Sequence, residues 1–392
     1  MFTRKIYPEL KKHLTARQVT VLTGMRRTGK TTALKYLLGE IKSPNKIYFD
    51  LERLNNRDLF SQKNYEAIVQ NLEQAGLEPK KKAYLFLDEI QLVKNIPSVI
   101  KYLYDNYPIK FVVTGSSSYY LKNLFSESLS GRKKIFELHP LSFGEFLDFK
   151  KMPHVEAKNF LTTKFNAFEY EMLRNYYEEF ITFGGFPEVV LLAGAKQKKD
   201  LLFDILDSYI RIDIQALADF RNMENMEKLL KMLSGRVGSR IDYVKISKLS
   251  GIKRATVKNY MDFFEQTYMI TRVSVLAKNP DREIVKAKKL YFNDNGLLNI
   301  LAEISGGAKF ENAVFNQLRH FDSVRYYATK NGQEIDFILG EKEALEAKET
   351  PLPEDGEKLK KLAGALKIEK SRLIGRFESP NFNNYIWGGE IR

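Results

Sequence analysis

The run Gly24-Met25-Arg26-Arg27-Thr28-Gly29-Lys30-Thr31 has two glycines, a lysine and a hydroxyl at the spacing G-x-x-x-x-G-K-[ST]. Each residue type has a physical use at its place. Gly24 and Gly29 adopt backbone angles that side chains forbid, so successive N–H groups can turn inward on a phosphate. Lys30 would reach the β- and γ-phosphates of a nucleotide, and the Thr31 hydroxyl would hold Mg²⁺. Thr32 extends the cradle into the first helical turn. Positioning such a loop takes a strand before it and a helix after it. Val19, Val21 and Leu22 supply an apolar strand ending at Thr23. Ala33, Leu34, Leu37 and Leu38 mark the buried face of a helix whose positive dipole end points at the loop.

A second constellation lies downstream. Ala83-Tyr84-Leu85-Phe86-Leu87 reads as a strand buried on both faces, and it ends in Asp88-Glu89. This is the Walker B pattern. Asp88 would enter the Mg²⁺ shell, and Glu89 would polarise an attacking water. An Asp-Glu pair at a strand end is weak evidence alone and strong evidence after a phosphate loop. A further buried strand, Lys110 to Thr114, runs into Gly115-Ser116-Ser117-Ser118. A polar group there can sense a γ-phosphate; Ser116 is the first choice, Thr114 and Ser117 are close alternatives, and a plain Gly/Ser turn fits as well. Arg132, after Gly131, has the character of an arginine finger on a neighbouring subunit's nucleotide, although a lone arginine is more often a solvated or structural charge.

Lys46 to Asp50 is a further strand, residues Leu59 to Ala75 read as one helix, and Ile100 to Tyr104 as another. Strands alternating with helices predict an α/β fold, a parallel sheet flanked by helices with ligands at the strands' carboxyl ends. In this order the chain contains RKIYPELKKHL, LTGMRRTGKTT, YLFLDEIQ, VVTGSSS, SGRKKIFELHPLSFGEF and FGGFPEV. It thereby resembles, over essentially its whole length, a group of archaeal and bacterial AAA+-type P-loop ATPases fused to a C-terminal domain of poorly defined role. The resemblance implies ATP and Mg²⁺ as cofactors.

Residues 1–140 are read as the ATPase core and 141–200 as a helical lid or linker whose aromatic residues are core rather than a stacking platform. Gly184-Gly185-Phe186-Pro187 is a turn dividing the lid from the segment after it. Residues 201–300 hold a helix-turn-helix cadence: Lys245 to Leu249, a turn at Ser250-Gly251-Ile252, and a second helix from Ala255 to Gln266. Val257, Met261 and Phe264 mark its inner face, and Arg254 and Lys258 point outward. Ile270 to Val275 and Lys288 to Phe292 read as strands around a charged wing, Lys278 to Lys286. This looks like a winged helix, serving either DNA or protein docking.

Residues 301–392 are read as a small α/β nuclease-like domain. Asp336, followed by Glu346-x-Lys348 on the next strand and preceded by a helix bearing Glu311, resembles the PD-(D/E)xK nuclease core. There the carboxylates Glu311, Asp336 and Glu346 would form a second metal site, and Lys348 would orient water. The first acidic position lacks its usual proline, so a degenerate fold used only for binding is the competing reading.

Composition narrows the classes. The 392 residues carry 63 Lys and Arg against 49 Asp and Glu, a net charge of +14, which favours a polyanionic partner such as DNA. There is no cysteine and there are four scattered histidines, so disulfides, thiol catalysis and histidine-based zinc sites are not expected. The charged amino-terminal segment with Pro8 does not read as a secretory leader, and no apolar run suggests a membrane span. The expectation is a cytoplasmic ATP hydrolase of AAA+ type coupled to a DNA-associated module, with a homo-oligomer or protein partner in play. The alternatives are a nucleotide-gated DNA-binding switch with little turnover and an ATPase with an active Mg²⁺-dependent endonuclease tail.

Overall fold

The structure is a computed structural model. It describes residues 2–392 except 116–128, 130, 157–158, 215–222, 278–282, 284–285 and 330. Two compact units emerge: Met1–His139 with Gln266–Tyr268, and Pro140–Glu265 with Met269–Arg392.

The first unit is built on five parallel strands: β1 (Val19–Thr23), β2 (Lys46–Asp50), β3 (Ala83–Asp88), β4 (Ile109–Gly115) and β5 (Lys133–Glu137), in the order β2-β3-β4-β1-β5. Strict alternation fills both faces. Val21, Leu85, Leu87, Phe111 and Val113 pack on one side with residues of the helices Tyr65–Gln74 and Ile96–Asn106. Leu22, Phe86, Val112 and Phe136 pack on the other with the helices Tyr7–His13 and Lys30–Glu40. Every residue of β1 and β4 is buried, as central strands covered by helices on both faces require.

One expected helix divides. Residues Leu59 to Ala75 form parts of two helices, Leu54–Phe60 and Tyr65–Gln74. The break is chemical: the Asn64 side chain accepts the Glu66 N–H at 3.0 Å, capping a new helix.

The second unit begins with the helix Phe143–Phe149, held by a reciprocal Ser142–Glu145 capping box. The helices Ala167–Phe183, Pro187–Leu191 and Ala195–Ser208 come next. The helix Met223–Ser234 precedes a pair, Tyr243–Ser250 and Arg254–Gln266, separated by Gly251 in the left-handed conformation (φ 74°). Val257, Met261 and Phe264 are buried, as their spacing requires, and Arg254 and Lys258 are exposed. The strands β6 (Ile270–Val273) and β7 (Lys289–Phe292) form an antiparallel pair, each slightly shorter than expected. The expected wing, Lys278 to Lys286, lies largely outside the described residues.

Beyond the helices Asn295–Leu301 and Gly306–Leu318 comes a second five-stranded sheet. Its strands are β8 (Val324–Ala328), β9 (Glu334–Leu339), β10 (Glu343–Lys348), β11 (Lys370–Gly375) and β12 (Ile386–Trp387), in the order β12-β11-β10-β9-β8. The pairs β8/β9 and β9/β10 are antiparallel, whereas β10/β11 and β11/β12 are parallel. The helix Pro353–Ala365 makes the crossover from β10 to β11, burying Leu359 and Ala363 against Ile335, Ala344 and Leu373.

Candidate nucleotide-binding site and the acidic cluster of the second unit

The phosphate loop leaves β1 at Thr23, at the carboxyl end of the sheet. Gly24 has a φ of +151°, and a Cβ there would stand 2.3 Å from the Leu138 carbonyl oxygen, so only glycine fits. Gly29 has a φ of +95° and opens the helix Lys30–Glu40 from its N-cap, leaving no cap side chain over the first-turn N–H groups. Lys30 is 4% exposed, and its Nζ donates to the carbonyls of Gly24 at 3.0 Å and Met25 at 2.9 Å. The ammonium is thereby held over the loop it would share with a phosphate. Thr28 Oγ1 donates to the Met25 carbonyl at 2.8 Å and closes the loop from within.

Arg4, to which the sequence pattern assigns no role, is buried behind this loop. Its guanidinium donates to the Thr28 carbonyl at 3.0 Å and to the His139 carbonyl at 2.8 Å, tying the loop to the segment after β5. Nothing local marks an arginine so far upstream of the loop as its support.

Asp88 ends β3 and is 2% exposed. One carboxylate oxygen accepts the Thr114 hydroxyl and the other accepts the Tyr48 hydroxyl at 3.0 Å. Burial, then the Asp88 charge, push the Tyr48 hydroxyl well above its ordinary pKa, so it stays a donor. Two neutral donors orient the carboxylate without cancelling its charge, which suits a group meant for a hydrated cation. Thr114 also accepts the Glu89 N–H at 3.0 Å. Glu89 is in the left-handed region (φ 55°), and its carboxylate accepts from Gln91. Because β4 lies between β1 and β3, Thr114 stands in register with Leu22, two residues before Gly24, and beside Asp88. Thr114 was an alternative to Ser116 for the polar group at this strand end; Ser116 and Ser117 lie outside the described residues.

Gly24 to Thr32, Asp88 and Glu89 thus gather at one end of the sheet. Arg132 does not join them. It precedes β5, whose first residue pairs with Val19 at the start of β1, and its Nε donates to Asp105 at 3.1 Å. Within its own chain it stands at the opposite end of the strands.

In the second unit, Glu311 and Asp336 of the expected nuclease-like site meet at a cation that sequence reasoning missed, while Glu346 pairs with Lys348. Lys289 on β7 is 1% exposed, and its Nζ lies 3.3 Å from Glu311, 3.1 Å from Glu334 and 3.1 Å from Asp336. Lys348 pairs with Glu346 at 3.0 Å. Burial, then the Asp336 charge, push the carboxyls of Glu311 and Glu346 up to about 7. Among the described residues no three His, Asp or Glu side chains are grouped to hold a metal ion. At the expected second metal site of Glu311, Asp336 and Glu346, the buried Lys289 ammonium stands beside Glu311 and Asp336. Arg254 and Lys258 meet elsewhere, on a basic cavity of about 890 Å³ that also receives Arg240, Lys245, Lys286 and Lys288.

Residues 16–147 match the family profile described as an AAA domain, and residues 174–307 match a domain of unknown function, DUF8612. Over 343 residues the chain is 31% identical to the uncharacterized protein MJ1544 of Methanocaldococcus jannaschii, covering 84% of this chain and 74% of that protein. The chain belongs to the MJ1544 family. An uncharacterized protein of Haemophilus influenzae is 26% identical over 333 residues, covering 82% of this chain and 79% of that one. Among solved structures, the Walker-type ATPase PABY2304 of Pyrococcus abyssi is similar, at 14% identity and a TM-score of 0.47, covering 77% of this chain and 96% of that chain. This member of the MJ1544 family carries an AAA-type P-loop domain on a parallel sheet. Among the described residues no helix is long and apolar enough to cross a membrane.

Proposed function

We propose that the first unit binds ATP with Mg²⁺ and hydrolyses it, and that nucleotide state is passed to the second unit. The supporting observation is the gathering of Gly24–Thr31 and Asp88 at the carboxyl end of one parallel sheet. In this reading the loop N–H groups and Lys30 hold the phosphates, and Thr31 and Asp88 would hold Mg²⁺, which supplies charge neutralisation on the β- and γ-phosphates. Glu89 takes a proton from the attacking water, with Thr114 and Gln91 fixing its backbone and its carboxylate. Met25, Arg26, Arg27 and Thr32 complete the cradle. An arginine finger from Arg132 requires a second copy of the chain, because in its own chain Arg132 pairs with Asp105 at the other end of the strands. Turnover should need Mg²⁺ and fall to background with EDTA. Glu89→Gln should keep nucleotide binding and lose about 10²–10⁴-fold in turnover, the range of a general base. Phosphate release together with nucleotide-binding titrations checks this, and hydrolysis indifferent to both changes would sink the reading.

A second reading concerns the helix-turn-helix at Tyr243–Gln266. We propose that it is a winged-helix module contacting DNA through Arg254 and Lys258. What favours this is the cavity of about 890 Å³ on which seven cationic side chains face. Its acidic members are engaged: Asp242 accepts the Val244 and Lys245 N–H groups, and Asp262 pairs with Arg272 at 2.7 Å. The double change Arg254→Glu with Lys258→Glu should lower affinity for duplex DNA at least about tenfold and reduce the salt slope by about two. Gel shifts across a salt series measure both, and binding that is absent or insensitive to salt counts against the module's role.

A further inference from the structure

We infer that the nuclease-like sheet of the second unit carries its own cation: Lys289 Nζ occupies the point where this fold would hold a divalent metal, and the site excludes Mg²⁺ and Mn²⁺. The inference is independent of ATP hydrolysis in the first unit.

The geometry carries it. The pattern that suggested a nuclease consists of Glu311 on the helix Gly306–Leu318, Asp336 on β9, and Glu346 and Lys348 on β10. A divalent ion needs several of these oxygens within about 2.0–2.6 Å of one point. That point is taken. Asp336 offers Oδ1 to Lys289 at 3.1 Å, while its Oδ2 accepts the Ala347 N–H at 3.2 Å. Glu311 Oε1 accepts from Lys289 at 3.3 Å and from the Tyr291 hydroxyl at 2.7 Å. Glu346 accepts from Lys348 at 3.0 Å through Oε1 and from the Asp336 N–H at 3.2 Å through Oε2. Glu334, which stands outside the nuclease pattern, adds a third carboxylate to Lys289 at 3.1 Å.

Lys289 has little freedom to leave. It is 1% exposed and lies in β7 opposite Val273, with the Tyr326 ring 5.8 Å from its Nζ. The backbone at Gly238 closes over the cluster. A Cβ at Gly238 would stand 2.9 Å from Glu311 Oε2, and the Gly238 N–H is tied to the Leu290 carbonyl at 2.8 Å. Three carboxylates, those of Asp336, Glu311 and Glu334, surround the Lys289 ammonium within 3.3 Å. A divalent ion entering the cluster would face that fixed charge at close range in a medium that screens it poorly. The carboxylates instead form a knot joining β7, the helix Gly306–Leu318 and the sheet β8–β12.

Mn²⁺ binding to the nucleotide-free full-length chain, followed by the electron paramagnetic resonance of free Mn²⁺, tests this. Wild type and Glu346→Gln should bind Mn²⁺ alike, because no site in the cluster exists to lose. Lys289→Met should gain one site per chain, at least tenfold tighter than any in wild type, and Mn²⁺ should raise its melting temperature. Lys289→Arg, which keeps the charge, should gain none. A wild-type Mn²⁺ site, or wild-type plasmid cleavage with Mn²⁺, that Glu346→Gln removes would overturn the proposal. So would a folded Lys289→Met that acquires no site. Should Lys289→Met fail to fold, the comparison of wild type with Glu346→Gln still decides: equal binding upholds metal exclusion and a difference refutes it.

Discussion

Lys30→Ala is expected to remove ATP turnover, with a fall of about 10²–10³-fold or more in kcat/KM, equivalent to roughly 3–4 kcal/mol of lost transition-state stabilisation. The size comes from where the charge sits. The ammonium is 4% exposed and held by the Gly24 and Met25 carbonyls, so in the proposed reaction it would act on a phosphate at low dielectric with its position already fixed. Lys30→Arg should not rescue. A planar guanidinium cannot occupy the place of a compact ammonium bonded to two loop carbonyls. The alanine variant also leaves those carbonyls without their donor, at a stability cost of about 1–3 kcal/mol. Circular dichroism and a melting curve separate that loss from the catalytic one. Phosphate release and fluorescent-nucleotide binding, measured on variants that melt as one transition, give the kinetic answer. Turnover unchanged in folded Lys30→Ala would remove the loop from the chemistry.

The phosphate loop and Asp88 are legible in the sequence because their chemistry is written locally. Two glycines and a lysine must fall within a few residues of each other, and a strand buried on both faces must be apolar until it reaches its carboxylates. What is not legible depends on strand order. Thr114 meets Asp88 because β4 is inserted between β1 and β3, and no window of sequence contains that fact. Tyr48 reaches Asp88 across forty residues, and Arg4 braces the loop by reaching its Thr28 carbonyl.

The second unit makes the same point more sharply. Lys289 lies near the start of a strand read from Lys288 to Phe292, yet the carboxylates that draw it inside come from positions 311, 334 and 336. In the pattern Asp336…Glu346-x-Lys348, Glu346 pairs with Lys348 and accepts the Asp336 N–H, but a pattern made of carboxylates and a lysine says nothing about a second lysine arriving from another sheet. The crossover helix Pro353–Ala365 shows in the sequence only as Leu359, Leu362 and Ala363 at helical spacing, a sparse apolar signal among the charges of residues 354–361.

Asp294→Ala is expected to destabilise the second unit by about 3–5 kcal/mol. Asp294 is buried, and its two oxygens serve two donors. Oδ2 accepts the Gly185 N–H at 2.8 Å, and Oδ1 accepts the Leu297 N–H at 3.0 Å, capping the helix Asn295–Leu301. Each orphaned buried donor costs about 1–3 kcal/mol, and a lost cap about 0.5–2 kcal/mol by overlapping physics. The carboxylate also explains the Gly184-Gly185 turn. A Cβ at Gly184 would stand 2.2 Å from Asp294 Oδ2, and one at Gly185 would stand 2.5 Å from the Leu141 carbonyl oxygen. The turn is thus a packed joint within the unit, so Gly184→Ala should lower stability as well. Burial, opposed by the Gly185 and Leu297 N–H groups, raises the Asp294 pKa from 3.8 to about 6. The folded chain therefore binds this proton more tightly than the unfolded chain does. Its contribution is fully present below about pH 4 and is lost as pH rises through about 6, a change on the order of 3 kcal/mol. Glu311 and Glu346, raised to about 7, add a slope of the same sign. The difference between wild type and Asp294→Asn isolates the Asp294 part. Asparagine keeps the cap through its carbonyl oxygen, turns an N–H₂ toward the Gly185 N–H, and cannot titrate. Urea unfolding from pH 5 to 8 should therefore show Asp294→Asn less stable than wild type at pH 5, with the gap narrowing toward pH 8. A gap that stays constant across that range would mean the carboxyl titrates as it does in water, and that burial does not govern the joint.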